Sequence, residues 1–240
     1  METDIFQKIN PVQRTIEPTY ANLTRTGTYS FLMSLPLLII YELLMLLKSD
    51  NIALGADVWI KTVLYQLGVG GMMLFGAVVL LIGGIIYLYE RPLKIPVIAR
   101  FFPIMVVESL IYGVILAFLI SNLVGAIFHS GLMIQAPALQ VAAGGKPGFL
   151  TQLALSIGAG LYEEFIFRLI LVGGLAFIFK KIFKNEIGSY IVAALIGAFI
   201  FSLVHYIGAL GDPFTLPSFT FRFLMGLALN VLFILRGFGI

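Results

Sequence analysis

The chain has 240 residues, of which 60% are hydrophobic and only 11% charged, and its 15 Lys and Arg against 12 Asp and Glu give a net charge of +3. Soluble domains carry about 25% charged residues, so this composition excludes an ordinary soluble globular protein and indicates a membrane protein. The chain has no cysteine, which excludes a disulfide framework, an iron–sulfur site and a thiol nucleophile. Its basic residues separate the apolar segments and form no patch, which argues against a nucleic-acid partner.

Six apolar segments are predicted to form membrane helices, because about 20 consecutive apolar residues cross the hydrocarbon core of a bilayer. They cover residues 29–47, 62–88, 104–128, 149–179, 188–208 and 218–236. We therefore predict an all-α fold, a multi-pass transmembrane bundle of about six to eight helices in the lipid bilayer. Residues 1–28 are expected to form an interfacial or flexible tail, and residues 29–240 a single domain with its motif-bearing core in residues 149–240.

The distribution of basic residues between the loops predicts the orientation in the cell membrane. Ten Lys and Arg lie in the N-terminal tail, in the loops after the second and fourth segments and at Arg236, whereas the remaining loops contain only Lys48, Lys61 and Lys146. Loops rich in Lys and Arg stay in the cytoplasm. The N-terminus is therefore predicted to be cytoplasmic.

The fourth segment is the longest of the six, with 31 residues. A stretch longer than the hydrocarbon core must tilt, project from the bilayer or break, and Gly173-Gly174 is the expected place for a break. The segment also contains Glu163, Glu164 and Arg168. Ionisable side chains are costly at bilayer depth, so these residues indicate a functional site.

The spacing of these ionisable residues assigns them different directions. Neighbours on an α-helix point about 100° apart, which separates Glu163 from Glu164. Glu164 and Arg168 have the i, i+4 spacing of a helical ion pair. Glu163 is therefore left to face a partner. The alternative, a purely structural ion pair, does not explain the second glutamate.

The fifth segment contains His205, one of two histidines in the chain. His129 is expected to be an interfacial residue, whereas His205 lies in an apolar helix with Phe201 one turn earlier on the same face. Counted at 1.5 Å per residue from the loop that joins the two segments, Glu163 and His205 lie at about 24 and 25 Å, and are therefore level. Unless this match in depth is accidental, the pair can deprotonate a water molecule or supply two ligands to a divalent metal such as zinc.

Three further charged residues, Glu42, Glu108 and Arg222, lie near the ends of apolar segments. Charged side chains in such positions can extend to the membrane interface. We expect all three to do so and to take no part in the site.

Two motifs together resemble a known family. Glu163-Glu164-x-x-x-Arg168, followed on the next helix by Phe201-x-x-x-His205, is similar to the first two motifs of the CPBP family. This family comprises the type II CAAX prenyl endopeptidases and bacterial relatives, including bacteriocin-processing and self-immunity proteins. The specific resemblance is confined to the C-terminal part of the chain, and the rest matches only in being helical and apolar.

The resemblance implies an intramembrane endopeptidase that hydrolyses a peptide bond of a membrane-associated protein or peptide, including a lipidated one. By position, Glu163 and His205 would activate the hydrolytic water, and Glu164, Arg168 and Phe201 would support the site. The family is often labelled metalloprotease-like, but a metal-free activation of water is also proposed for it. The cofactor therefore stays open, with Glu163 and His205 as the candidate metal ligands.

The family's third motif, a His followed four residues later by Asn or Asp, is thought to help bind the oxyanion. No histidine follows His205 before Ile240, although residues 221–239 resemble the helix that precedes this motif. An oxyanion donor stabilises the transition state by about 3–4 kcal/mol. Without the third motif, this chain is expected to bind a peptide but to cleave it poorly. The alternatives are a non-catalytic membrane scaffold or immunity protein and a small transporter, for which the sequence shows no inverted repeat.

Overall fold

The computed structural model describes residues 19–47, 71–129, 148–183, 185–207 and 211–240, and all regular structure within these ranges is helical. The elements are α1 (Tyr20–Leu23), α2 (Gly27–Leu47), α3 (Gly71–Glu90), a short 3-10 turn (Arg91–Leu93), α4 (Phe101–Phe128), α5 (Phe149–Gly158), a π-helix (Ala159–Val172), α6 (Gly173–Phe183), α7 (Glu186–Val204) and α8 (Leu216–Arg236). Four of them, α2, α4, α7 and α8, are long and apolar enough to cross a membrane. The predicted all-α transmembrane fold is therefore confirmed.

Of the three alternatives for the fourth predicted segment, the structure excludes a break at its two glycines. The chain stays helical from Phe149 through the π-helix to Phe183, and Gly173 has helical torsion angles of φ −61° and ψ −44°. The physical reason is that a backbone in lipid has no water to satisfy its N–H and C=O groups, so it keeps its helical hydrogen bonds even at glycine. The first residues of the second predicted segment, 62–70, lie outside the described residues.

Helices α7 and α8 pack closely and are joined by polar contacts at two levels. Ser202 Oγ donates to the Phe219 carbonyl at 2.8 Å, and Asn230 Nδ2 donates to the Ala194 carbonyl at 2.8 Å. Gly226 allows the close approach, since a Cβ at that position would lie 2.8 Å from a ring carbon of Phe201. Small residues and interhelical hydrogen bonds stabilise helix pairs in membranes, where water exclusion gives no driving force. These contacts hold α7 and α8 together at the end that contains Phe201.

A partly buried ion pair connects α4 to α8 and to α1. Arg236 donates to both Glu108 oxygens, at 2.7 and 2.9 Å, and the Tyr20 hydroxyl donates to the same carboxylate at 2.5 Å. Burial and this hydrogen bond raise the pKa of Tyr20 to about 12. Glu108 was expected to extend to the interface; in the structure its carboxylate is bound by partners from two other helices, and its side chain is 17% exposed.

The N-terminus of α2 is capped by a side chain from the end of α3. Glu90 accepts hydrogen bonds from the Gly27 and Thr28 backbone N–H groups, each at 2.7 Å, and from the Thr28 hydroxyl at 2.6 Å. The first N–H groups of a helix have no intrahelical partner, and they attract a carboxylate. This contact holds the start of α2 against α3.

Replacement of the capping carboxylate should destabilise the protein modestly. Glu90→Ala leaves the α2 N–H groups without their acceptor, and loss of a cap costs about 1–2 kcal/mol. The measurement is thermal unfolding in detergent against Glu186→Ala, a matched control because the Glu186 side chain is 70% exposed. Equal melting temperatures for the two variants would contradict this role for Glu90.

Candidate active site

The first motif lies on the π-helix, where backbone hydrogen bonds run from i to i+5. Such segments are rare and are frequent at functional sites. Their turn is wider than that of an α-helix, so the angular spacing and rise assumed for Glu163 in the sequence analysis do not apply unchanged. The expected ion pair is nevertheless present, with Arg168 Nε 3.2 Å from Glu164 Oε2.

The Arg168 guanidinium is buried and incompletely hydrogen-bonded. The residue is 1% exposed, and neither Nη1 nor Nη2 has a hydrogen-bond partner within the described part of the chain. Nε is within ion-pair distance of Glu164, but the N–H is not aligned for a hydrogen bond. Buried donors without acceptors are costly, so this position favours a nearby acceptor such as water or a substrate carbonyl.

Helix α7 ends at Val204, four residues before the predicted end at residue 208, so His205 is its C-cap residue and does not lie within the helix as expected. The last carbonyls of a helix lack intrahelical partners. His205 uses one of them, with Nδ1 2.7 Å from the Phe201 carbonyl oxygen. A carbonyl can only accept, so Nδ1 carries the proton and Nε2 of the neutral ring is an acceptor. The backbone thereby selects the tautomer that can bind a water proton or a metal.

Phe201 joins the two motifs. Its ring lies 4.4 Å from the Arg168 guanidinium carbon and 4.9 Å, centroid to centroid, from the His205 imidazole. Phe167 of the π-helix packs edge-on against the same ring, at 5.1 Å. The structure therefore brings Arg168, Phe201 and His205 into one cluster of contacts, in which the two rings meet edge-on. Within the described ranges, no hydrogen bond or ion pair joins Glu163 to His205, so their expected cooperation stays a prediction.

Arg222 and Asp212 form an ion pair that the sequence analysis missed. Their side chains are 13% and 16% exposed, and the Arg222 guanidinium carbon lies 5.0 Å from the Tyr206 ring centre. The charge of Arg222 acts on both Glu163 and His205. Arg222 was expected to extend to the interface; in the structure it is paired with a partly buried carboxylate from the preceding loop. The only available signal was an acidic residue in a short loop before an arginine-bearing apolar helix.

An apolar cavity of about 450 Å³ lies on another face of the π-helix. Leu161, Phe165 and Leu169 line it from the π-helix, and Phe31 and Ile86 from α2 and α3. Glu42, which was expected to extend to the interface, is instead 3.4 Å from the Tyr162 hydroxyl on the same face. The motif helix therefore borders an apolar cavity as well as the charged groups of the first motif.

The sequence did not decide whether the site holds a divalent metal. Catalytic zinc sites use three protein ligands. Within the described ranges, no three His, Cys, Asp or Glu side chains converge into such a set. Glu163 and His205, the expected candidate ligands, supply two donors and do not complete a set of three by themselves. The reaction proposed for this chain uses only water and the protein's own groups.

Residues 145–238 match the family model described as Type II CAAX prenyl endopeptidase Rce1-like. This segment contains both motifs, and the match confirms the resemblance to the CPBP family. At the level of the family, it indicates a membrane-embedded protease with a peptide substrate. No curated protein and no solved structure matches the chain.

Proposed function

Because the Rce1-like match spans both motifs, we propose that this chain is an intramembrane endopeptidase that hydrolyses a peptide bond of a membrane-associated, lipid-anchored substrate. Glu163 is the general base, and His205 orients the attacking water. Glu164 and Arg168 hold the motif helix in place, and Phe201 positions the imidazole.

The proposed reaction is a general-base hydrolysis. The His205 Nε2 accepts a hydrogen bond from one O–H of the water, and the Glu163 carboxylate removes the proton of the other O–H. The water oxygen bonds to the carbonyl carbon, and the C=O π electrons move to the carbonyl oxygen. When the C–N bond breaks, that oxygen returns its electrons and Glu163 delivers the proton to the amine nitrogen. The products are a carboxylic acid and an amine.

The contact between the His205 ring and the Phe201 carbonyl is the observation that carries this proposal. An imidazole whose Nδ1–H is bound at 2.7 Å to the Phe201 carbonyl offers Nε2 as an acceptor in a fixed direction. A histidine that served only packing would not need an unused acceptor nitrogen close to the Glu164–Arg168 pair. The apolar cavity beside the motif helix additionally provides space for the lipid anchor of a substrate.

Cleavage of a farnesylated Cys-a-a-X peptide by the purified protein in nanodiscs tests this function, with products read by mass spectrometry. His205→Gln should lower the rate by about 100-fold, because the water loses its orientation. His129→Gln is the matched control, since His129 is the only other histidine and lies at the end of α4. Peptide binding by the wild type without any cleavage would instead favour the non-catalytic scaffold.

The site is proposed to open toward the extracytoplasmic side, with the N-terminus in the cytoplasm. On the loop-charge topology, the loop between α7 and α8 lies outside and the start of α7 inside. In the cysteine-free chain, Pro213→Cys should react with a membrane-impermeant maleimide on intact cells, and Glu186→Cys only after permeabilisation. The reverse pattern would mean that the orientation is inverted.

A further inference from the structure

Arg222 has a free donor at a place where the proposed reaction needs one. One terminal nitrogen, Nη2, binds the Asp212 carboxylate. The other, Nη1, is buried and has no hydrogen-bond partner among the residues that the structure describes. The guanidinium is held on one face by the Tyr206 ring, 5.0 Å away. Its position is therefore fixed by two contacts that leave Nη1 available.

The surroundings of Arg222 connect it to the reacting groups. Tyr206 is the residue after His205, and its hydroxyl donates to Ser218 Oγ at 2.8 Å, which ties it to α8. The Asp212 backbone N–H donates to the His205 carbonyl at 2.8 Å, which ties the acidic partner to the same turn. Through Tyr206 and Asp212, Arg222 is thus held beside the turn that carries His205.

On the premise of the peptidase function, we propose that Arg222 donates its Nη1–H to the scissile carbonyl oxygen and stabilises the oxyanion that forms there. Asp212 is a positioning residue, because its carboxylate binds the other nitrogen and aims the guanidinium. A fixed cationic donor in a site with little water is an effective way to stabilise a developing negative charge. This assignment gives the chain an oxyanion donor within the residues that carry the family match.

Binding of two matched ligands tests the assignment without requiring turnover. Both are farnesylated Cys-a-a-X peptides, one with the amide after the cysteine intact and one with that amide replaced by a phosphonate, whose anionic oxygen imitates the oxyanion. Arg222→Gln should weaken phosphonate binding by about 100-fold, in line with the loss of one oxyanion donor, and amide binding by less than about threefold. Arg222→Lys, which keeps the cation, should retain part of the preference for the phosphonate. Arg91→Gln, an exposed residue in the 3-10 turn, is the matched control.

Several outcomes would overturn the assignment. One is an equal loss for both ligands in Arg222→Gln, which would indicate a general effect on folding or peptide binding. Another is a wild type that binds the two ligands equally. A third is an Arg222 dependence that disappears when the peptide C-terminus is amidated, which would make Arg222 a carboxylate receptor. Arg222-dependent phosphonate binding without cleavage by the wild type would refute the peptidase function but support the oxyanion site.

Discussion

Glu163→Gln should abolish peptide cleavage, with a loss of about 10,000-fold, because the amide cannot take a proton from water. The substitution keeps the size and polarity of the side chain. Glu163 has no ion pair within hydrogen-bonding distance in the described structure, whereas Glu164 is 3.2 Å from Arg168. The melting temperature should therefore stay within about 2 °C of the wild type. The measurement is the initial cleavage rate in nanodiscs together with thermal unfolding of the same preparation.

Two comparisons make this result specific. Glu186→Gln removes an exposed carboxylate near the start of α7 and should leave the rate unchanged. Glu164→Gln should lower stability as well as activity, because it weakens the buried ion pair with Arg168. A Glu163→Gln variant with more than about a tenth of the wild-type rate would exclude Glu163 as the general base.

Removal of Glu164 should have the largest effect on stability. Glu164→Leu leaves the Arg168 guanidinium, which is 1% exposed, without its ion-pair partner. An uncompensated buried charge costs about 3–5 kcal/mol. Arg168→Leu should also lower yield and thermal stability, although it removes three nitrogens without hydrogen bonds as well as the charge.

A double-mutant cycle separates the ion pair from packing. Glu164→Leu/Arg168→Leu should be more stable than Glu164→Leu alone, since an apolar pair leaves no buried charge behind. The measurement is the free energy of unfolding in mixed micelles, followed by circular dichroism. Additive losses in the two single variants would show that the pair contributes nothing as a pair. Normal stability of Arg168→Leu with lost activity would make Arg168 a substrate-binding group.

The fold class followed from the sequence because lipid imposes a simple rule on the chain. An apolar segment of bilayer length must be helical to satisfy its own backbone, and the helices of the structure lie on the predicted segments. The Glu164–Arg168 pair was also predictable, because both partners lie within one turn of the same helix and need no other element.

Contacts between helices were not predictable from spacing. Glu108 and Arg236 are 128 residues apart, and Glu90 caps a helix that starts 63 residues before it. Glu108 was expected, from its position near a segment end, to reach the interface. Its partner Arg236 lies on another helix, and only the packed bundle brings the two together.

The sequence by itself therefore determined the membrane class, the helical segments and the two motifs, since these depend on composition and on neighbours along the chain. The tertiary structure decided the π geometry around Glu163, the tautomer of His205 and the pairing of Arg222 with Asp212. Each of these depends on where α7 ends and on how it packs against the π-helix and α8. In a bilayer, buried polar groups must find partners within the bundle, so the polar arrangement is set by the assembled helices.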